Sequence, residues 1–180
     1  ANYVKKSANL KLKCLSVHIG SQILDDKPYE KVLKVLEKIL NKSKINFEYI
    51  DLGGGMGIDY DNKKKKLNLK KYYLNIKKFL KKNNTKIIFE PGRSIIANCG
   101  FLISKIIYIK ENDNKVFIIL DAAMNDLMRP ALYNAKHRII PLNKNNKKTK
   151  KIYEFVGPIC ESTDKFLTVK RFQKLKEKDF

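Results

Sequence analysis

Hydrophobic and polar positions alternate along residues 10–19 (L-K-L-K-C-L-S-V-H-I), then turn apolar, as a strand does on entering a core. Asp25, Asp26 and Pro28 open the next segment, where Tyr29, Val32, Leu33, Leu36, Ile39 and Leu40 recur at helical spacing. They predict a helix with one apolar face. Residues 47–52 read as a short strand closed by a glycine cluster. The lysine run 63–66 precedes a second amphipathic helix with Leu69, Tyr72, Tyr73, Ile76, Phe79 and Leu80 on its buried side. A third strand, residues 86–90, stops at Pro91-Gly92. Three strand–helix steps with buried strands imply a parallel sheet or barrel.

The pattern then changes. Residues 101–110 and 115–120 read as two strands joined by Glu111-Asn112-Asp113-Asn114, a polar turn of the hairpin kind. Residues 143–151 (N-K-N-N-K-K-T-K-K) form a charged loop, and 152–156 form a further short strand before Gly157-Pro158. The expected organisation is therefore an α/β unit over residues 1–98 and a β-rich unit over 99–180.

Each early strand ends in a polar or glycine motif. They are His18-Ile19-Gly20-Ser21-Gln22, then Asp51-Leu52-Gly53-Gly54-Gly55-Met56-Gly57, then Glu90-Pro91-Gly92-Arg93. In a (β/α) barrel these carboxyl ends converge on one mouth. The glycines suit either a tight turn or a nest of N–H groups for an anion. They fit neither the dinucleotide fingerprint, whose third glycine would fall one residue later, nor a P-loop. Glu90 and Arg93 suit a partly desolvated ion pair, structural or functional, and Arg93 also has the fork for a phosphate. His18 suits a satisfied buried histidine more readily than a catalytic one, and both readings stand. Further on, D-A-A-M-N-D-L-M-R-P-A-L-Y (121–133) is polar where a simple turn would suffice. Gly157-Pro158-Ile159-Cys160-Glu161-Ser162 sets a thiol beside a carboxylate, with an inert buried cysteine as the plain alternative.

Composition bounds the remainder. The 180 residues are 43% hydrophobic and 32% charged, a globular balance. The longest apolar stretch, 101–109, is broken by Lys105 and is too short to span a bilayer. The first ten residues lack a secretory apolar block. Cys14, Cys99 and Cys160 make no C-x-x-C pair, which fits a reducing cytosol, and the two histidines show no metal-ligand spacing. Lys+Arg 39 against Asp+Glu 18 gives +21, a charge that invites a polyanion. Only Arg93, Arg129, Arg138 and Arg171 are arginine, however, and the lysines travel with asparagine and isoleucine, all residues of A/T-rich codons. Compositional drift over a solvated surface explains the charge better than nucleic-acid recognition, which favours arginine.

Five segments in one order, V-H-I-G-S-Q, D-L-G-G-G-M-G-I, F-E-P-G-R-S-I-I-A-N, D-A-A-M-N-D-L-M-R-P-A-L-Y and V-G-P-I-C-E-S-T-D, resemble the fold III, alanine racemase-like pyridoxal-phosphate decarboxylases. The N-D-L-x-R-P-A-L-Y block resembles the branch acting on meso-diaminopimelate. The resemblance implies the late part of a (β/α)8 TIM-like barrel over residues 1–98, then the opening of the β-rich domain. It implies that His18 packs on the pyridine ring of pyridoxal 5'-phosphate. Ser21, Gly55, Gly92 and Arg93 would hold the phosphate, with Arg93 also near the substrate, and Glu90 would pair with the ring nitrogen. Arg129 and Tyr133 would grip the distal end of the substrate. Cys160 would return a proton to the α-carbon, and Glu161 would meet the substrate ammonium. The last two act in the site of a neighbouring subunit in the family, so a head-to-tail homodimer is implied, together with a cytoplasmic setting and lysine as product. No lysine here stands in the context of the family's Schiff-base lysine, and 180 residues do not close a barrel of about 250. The alternative is a non-catalytic relative that keeps the fold.

Overall fold

In the computed structural model, residues 1–60 and 65–180 are described. They divide into two units, Ala1–Gly100 and Phe101–Phe180, where the change of pattern had placed the break after residue 98. Of the lysine run 63–66, Lys63 and Lys64 lie outside the described residues.

The first unit runs α1 (Asn2–Lys6), β1 (Cys14–Ser16), α2 (Lys27–Ser43), β2 (Tyr49–Asp51), α3 (Leu69–Lys82), β3 (Lys86–Ile88) and α4 (Arg93–Ile96). β1, β2 and β3 pair in that order, all parallel, with Cys14 opposite Tyr49 and Tyr49 opposite Lys86. The unit is α/β. Its described strands form an open sheet and do not close on themselves.

Helix α2 starts because Pro28 presets its first turn, and it ends where Lys44 turns left-handed at φ 52°. Asn68 caps α3 by accepting the Lys71 N–H at 3.0 Å. Tyr29, Leu33 and Leu36 of α2 and Tyr72, Ile76 and Phe79 of α3 are buried with Ile50 of the central strand and Phe47. Each such side chain removed from water contributes about 1.5–3 kcal/mol. The buried stripe is narrower than the sequence predicts. Ile39 on α2, and Leu69, Tyr73 and Leu80 on α3, are exposed, because only one line of each helix meets the sheet and its partner. Lys71 Nζ reaches Asp26 Oδ2 at 2.7 Å, tying the start of α2 to α3.

The second unit contains β4 (Ile106–Glu111), β5 (Lys115–Leu120), α5 (Arg129–Tyr133), β6 (Ile152–Val156) and β7 (Lys165–Val169). The order is β4-β5-β6-β7, with β5 and β6 parallel and the outer two pairs antiparallel. Ile106, Val116, Ile118, Ala122, Tyr153, Phe155 and Phe166 form its core. The strand expected over 101–110 begins only at Ile106. Its partner β5 runs into Asp121, whose carboxylate takes the Lys105 N–H at 2.8 Å and the Ser104 hydroxyl at 2.7 Å. Phe101 is 87% exposed, outside the ladder. β7 and α5 were not foreseen from the pattern.

Candidate active site

The parallel sheet brings three loop tips together at the carboxyl ends of its strands, and the backbone stitches them. Val17 N–H donates to Asp51 O, Leu52 N–H to Ile88 O and Glu90 N–H to Gly53 O, at 2.9, 3.0 and 2.9 Å. Ile23 N–H reaches Gly55 O at 2.9 Å, and Gly57 N–H returns to Ile23 O at 3.0 Å. The middle tip must be glycine to allow this. A Cβ on Gly54 would stand 2.2 Å from the Glu90 carbonyl oxygen, and one on Gly55 would stand 2.2 Å from that of Gly20. Gly55 also sits at φ +87°, which side chains with a Cβ avoid.

Two buried polar groups support the tip from below. Asp51 accepts the Gly53 N–H at 2.8 Å on one oxygen and the Ser16 hydroxyl at 3.1 Å on the other. Tyr29, whose hydroxyl is kept protonated by burial, donates to Gly54 O at 3.4 Å. Neither residue was singled out from sequence. An aspartate two positions before a glycine turn is a signal that could have found Asp51.

His18, Gly55, Glu90, Gly92 and Arg93 therefore stand at adjoining strand ends, with Ser21 exposed on the first of them. His18 is exposed rather than buried, and its Nδ1 accepts the Gly54 N–H at 3.4 Å. The expected Glu90–Arg93 ion pair does not form. Glu90 is exposed and makes no ion pair among the described residues, while Arg93 Nη1 donates to Gln22 Oε1 at 3.0 Å. The pair fails because the Arg93 fork turns toward the first tip instead.

An anionic, planar group fits these residues. The N–H groups of Gly55 and Gly92 have no acceptor among the described residues. A Cβ on Gly20 or Gly92 would meet nothing within 4 Å, so open space lies beside both. Two unengaged N–H donors and a guanidinium suit a phosphate, an exposed imidazole suits a ring face, and an unpaired carboxylate suits a ring N–H.

The remaining predicted residues lie in the second unit. Arg129 and Tyr133 are the ends of α5, with the guanidinium carbon 5.6 Å from the ring centre. Among the described residues, Arg129 Nε is buried without a hydrogen-bond partner. Cys160 is exposed and not an inert core thiol. Glu161 is also exposed, and its carboxylate accepts the Ser162 hydroxyl at 3.1 Å and the Thr163 N–H at 3.4 Å. The residue that organises this loop is Asp164, which is 3% exposed. It accepts Met124 N–H on Oδ1 at 2.7 Å and Ile159 N–H on Oδ2 at 2.9 Å. It fastens the 121–128 loop to the loop bearing Cys160.

Comparison with known proteins bears on the family of the chain. A family model described as "Pyridoxal-dependent decarboxylase, C-terminal sheet domain" matches residues 7–180. The chain is 43% identical over 173 residues to a diaminopimelate decarboxylase of Aquifex aeolicus (strain VF5), a match covering 94% of this chain and 40% of that protein. It is 40% identical over 169 residues to the Helicobacter pylori enzyme of that name, covering 92% of this chain and 41% of the relative. The chain thus spans about two fifths of the length of these curated relatives. The crystal structure of H. pylori diaminopimelate decarboxylase complexed with L-lysine superposes with TM-score 0.84 at 38% identity, over 99% of this chain and 44% of that one. The M. jannaschii diaminopimelate decarboxylase in co-complex with L-lysine gives 0.85 at 32%, over 99% and 42%.

Proposed function

The chain belongs to the pyridoxal-dependent decarboxylase family, and from that premise we propose that it is a portion of a diaminopimelate decarboxylase, converting meso-2,6-diaminopimelate to L-lysine and carbon dioxide. The observation that supports the reading is the stitching of three strand ends through Gly53 and Gly54, which brings the loops bearing His18, Glu90 and Arg93 together. When bound, pyridoxal phosphate supplies a cationic ring that takes up the electron pair left on the α-carbon as carbon dioxide departs.

Each residue has a part in that reading. Gly55, Gly92 and Arg93, with Ser21, hold the phosphate through N–H donors and the guanidinium. His18 packs on the ring face, and Glu90 keeps the ring nitrogen protonated. Arg93 also lies near the substrate, while Arg129 and Tyr133 grip the distal amino-carboxylate end. Glu161 meets the substrate ammonium, and Cys160 returns a proton to the α-carbon. Because Cys160 and Glu161 stand exposed on the second unit, they are available to a neighbouring copy, which supports a head-to-tail homodimer.

The family description names a sheet domain, so the α/β character of the first unit stands by itself. That its parallel strands are a section of a (β/α)8 barrel, with residues from Phe101 opening the β-rich domain, is part of the proposal. So is a cytoplasmic setting. Among the described residues no helix is long and apolar enough to cross a membrane.

The test uses the full-length protein with pyridoxal phosphate and meso-diaminopimelate, following carbon dioxide release and L-lysine. Glu90→Gln is expected to retain the cofactor's visible absorbance but lose at least about a hundredfold in kcat, the scale of one lost electrostatic partner. Unchanged turnover in Glu90→Gln would remove the ring-nitrogen assignment. Absence of product from the unaltered protein would remove the decarboxylase reading itself.

A further inference from the structure

Gln22 joins all three strand tips, and no role in the reading above uses it. Its Nε2 donates to Ile58 O while its Oε1 accepts Ile58 N–H at 3.3 Å, so the carboxamide engages both backbone polar groups of Ile58. That pairing fixes which end of the amide is oxygen. The same oxygen then accepts Arg93 Nη1 at 3.0 Å. One neutral side chain thus links the loop after β1 to the loop after β2 and to the first residue after the Gly92 turn. The local backbone is shaped to allow it. Gln22 itself sits at φ +63°, and a Cβ on Gly57 would stand 2.9 Å from the Gln22 carbonyl carbon.

We propose that Gln22 is a positioning residue, one that holds the Arg93 guanidinium at the strand tips without neutralising it. The proposal rests on the reading that Arg93 receives an anionic group there, whether the cofactor phosphate or a substrate carboxylate. The choice of amide over carboxylate is the chemical point. A guanidinium has five N–H donors, and a neutral acceptor occupies one while leaving the full positive charge for the ligand. A glutamate at position 22 would pair with Arg93 as an ion, compete with the anion, and face Ile58 O with no donor.

A double-mutant cycle in the full-length protein tests this. Gln22→Gly removes the amide and keeps φ +63° unstrained, Gln22→Glu keeps the length, and Arg93→Ala removes the guanidinium. Two constants are read in each variant: the dissociation constant for pyridoxal 5'-phosphate, followed by its visible absorbance, and KM for meso-diaminopimelate. Gln22→Gly is expected to weaken, by roughly tenfold, the same constant that Arg93→Ala weakens, and to add nothing in the Arg93→Ala background. Gln22→Glu is expected to weaken it at least as much. Phenylglyoxal modification of Arg93, mapped by peptide mass, is expected to run several-fold faster in Gln22→Gly, since the guanidinium is released. Equal effects of Gln22→Gly with and without Arg93, or an unchanged modification rate, overturn the proposal while leaving the decarboxylase reading intact. If Arg93→Ala alters neither constant, the role given to Arg93 falls and the proposal falls with it. If the unaltered protein binds no pyridoxal phosphate, it is the functional reading that has failed.

Discussion

Replacing Asp164 with asparagine probes how the loop bearing Cys160 is held. Both carboxylate oxygens are engaged by backbone donors, Met124 N–H at 2.7 Å and Ile159 N–H at 2.9 Å, and the residue is 3% exposed. Asparagine keeps the shape and one acceptor, but its NH2 group must then face one of the two N–H groups. A hydrogen bond to a charged acceptor is worth about 1.5–3 kcal/mol, and a stranded buried donor costs about 1–3 kcal/mol. The two figures partly describe the same loss, so the expected destabilisation is about 2–4 kcal/mol. Alanine removes both acceptors yet opens room for water at the two N–H groups, so Asp164→Ala is expected to cost about as much as the seemingly milder change. Urea unfolding of the full-length variants followed by circular dichroism measures the energy, compared at constant slope. Hydrogen exchange localises it, with faster exchange expected at the Met124 and Ile159 amides. Asp164→Asn unfolding within about 0.5 kcal/mol of the parent, with both amides still protected, would refute the reasoning.

Three further outcomes follow from the same geometry. Gly54→Ala places a methyl group 2.2 Å from the Glu90 carbonyl oxygen, so the second and third tips must part. A loss of about 1–3 kcal/mol and release of bound pyridoxal phosphate are expected, read by thermal melting and absorbance. Ile50→Ala, at a central-strand position 0% exposed, is expected to cost about 2–5 kcal/mol in urea unfolding, whereas Ile88→Ala, 39% exposed at the sheet edge, should cost much less. Glu154 contributes to the pH dependence of the second unit. Burial pushes its carboxyl up, but hydrogen bonds and charge from Lys165 and then Lys115 outweigh this and hold it below the ordinary glutamate value. A folded-state pKa below the unfolded one means the unfolded chain takes up its proton first. The stabilisation is therefore present above about pH 4.3 and lost as pH falls through the lowered value. Glu154→Gln should flatten the acid limb of a stability-against-pH curve below about pH 4.3 and leave its shape near neutrality unchanged.

Periodicity made the scaffold legible because long segments repeat one signal many times. The helices over Lys27–Ser43 and Leu69–Lys82 and the strand Lys115–Leu120 stand where the pattern put them. Other edges were less legible, since an edge depends on what lies alongside. Residues 101–105 have the composition of a strand but no strand alongside them among the described residues, because the ladder ends where Lys105 meets Asp121. Tyr73 and Leu80 belong to an apolar stripe wider than the surface available to cover it. The glycines and charged residues at the strand tips were visible as motifs, and the sheet then explained why they gather. Gln22, Asp51 and Asp164 were not singled out as individuals for a common reason. Their partners include backbone N–H groups, which carry no residue identity, and for Gln22 and Asp164 these lie 36 and 40 positions away. A sequence advertises side chains, whereas these three act on peptide groups that any residue would supply.

The same distinction resolves the large positive charge. Lysines reach carboxylates at the surface, as in Lys13–Glu48 at 3.3 Å, Lys34–Glu30 at 2.6 Å and Lys151–Glu111 at 2.8 Å. Such pairs are solvated and contribute about 0–1 kcal/mol each. They give up part of their field to a local partner and bring no ligand specificity. Arg93 and Arg129 are held differently. One rests on a carboxamide oxygen, the other lies 5.6 Å from an aromatic ring, and neither is paired with an acid among the described residues. A cation steadied by neutral groups keeps its whole charge for whatever arrives. The net charge of +21 is thus carried mostly by lysines, while Arg93 and Arg129, held by neutral neighbours, are the cations that the proposed function assigns to an anionic ligand.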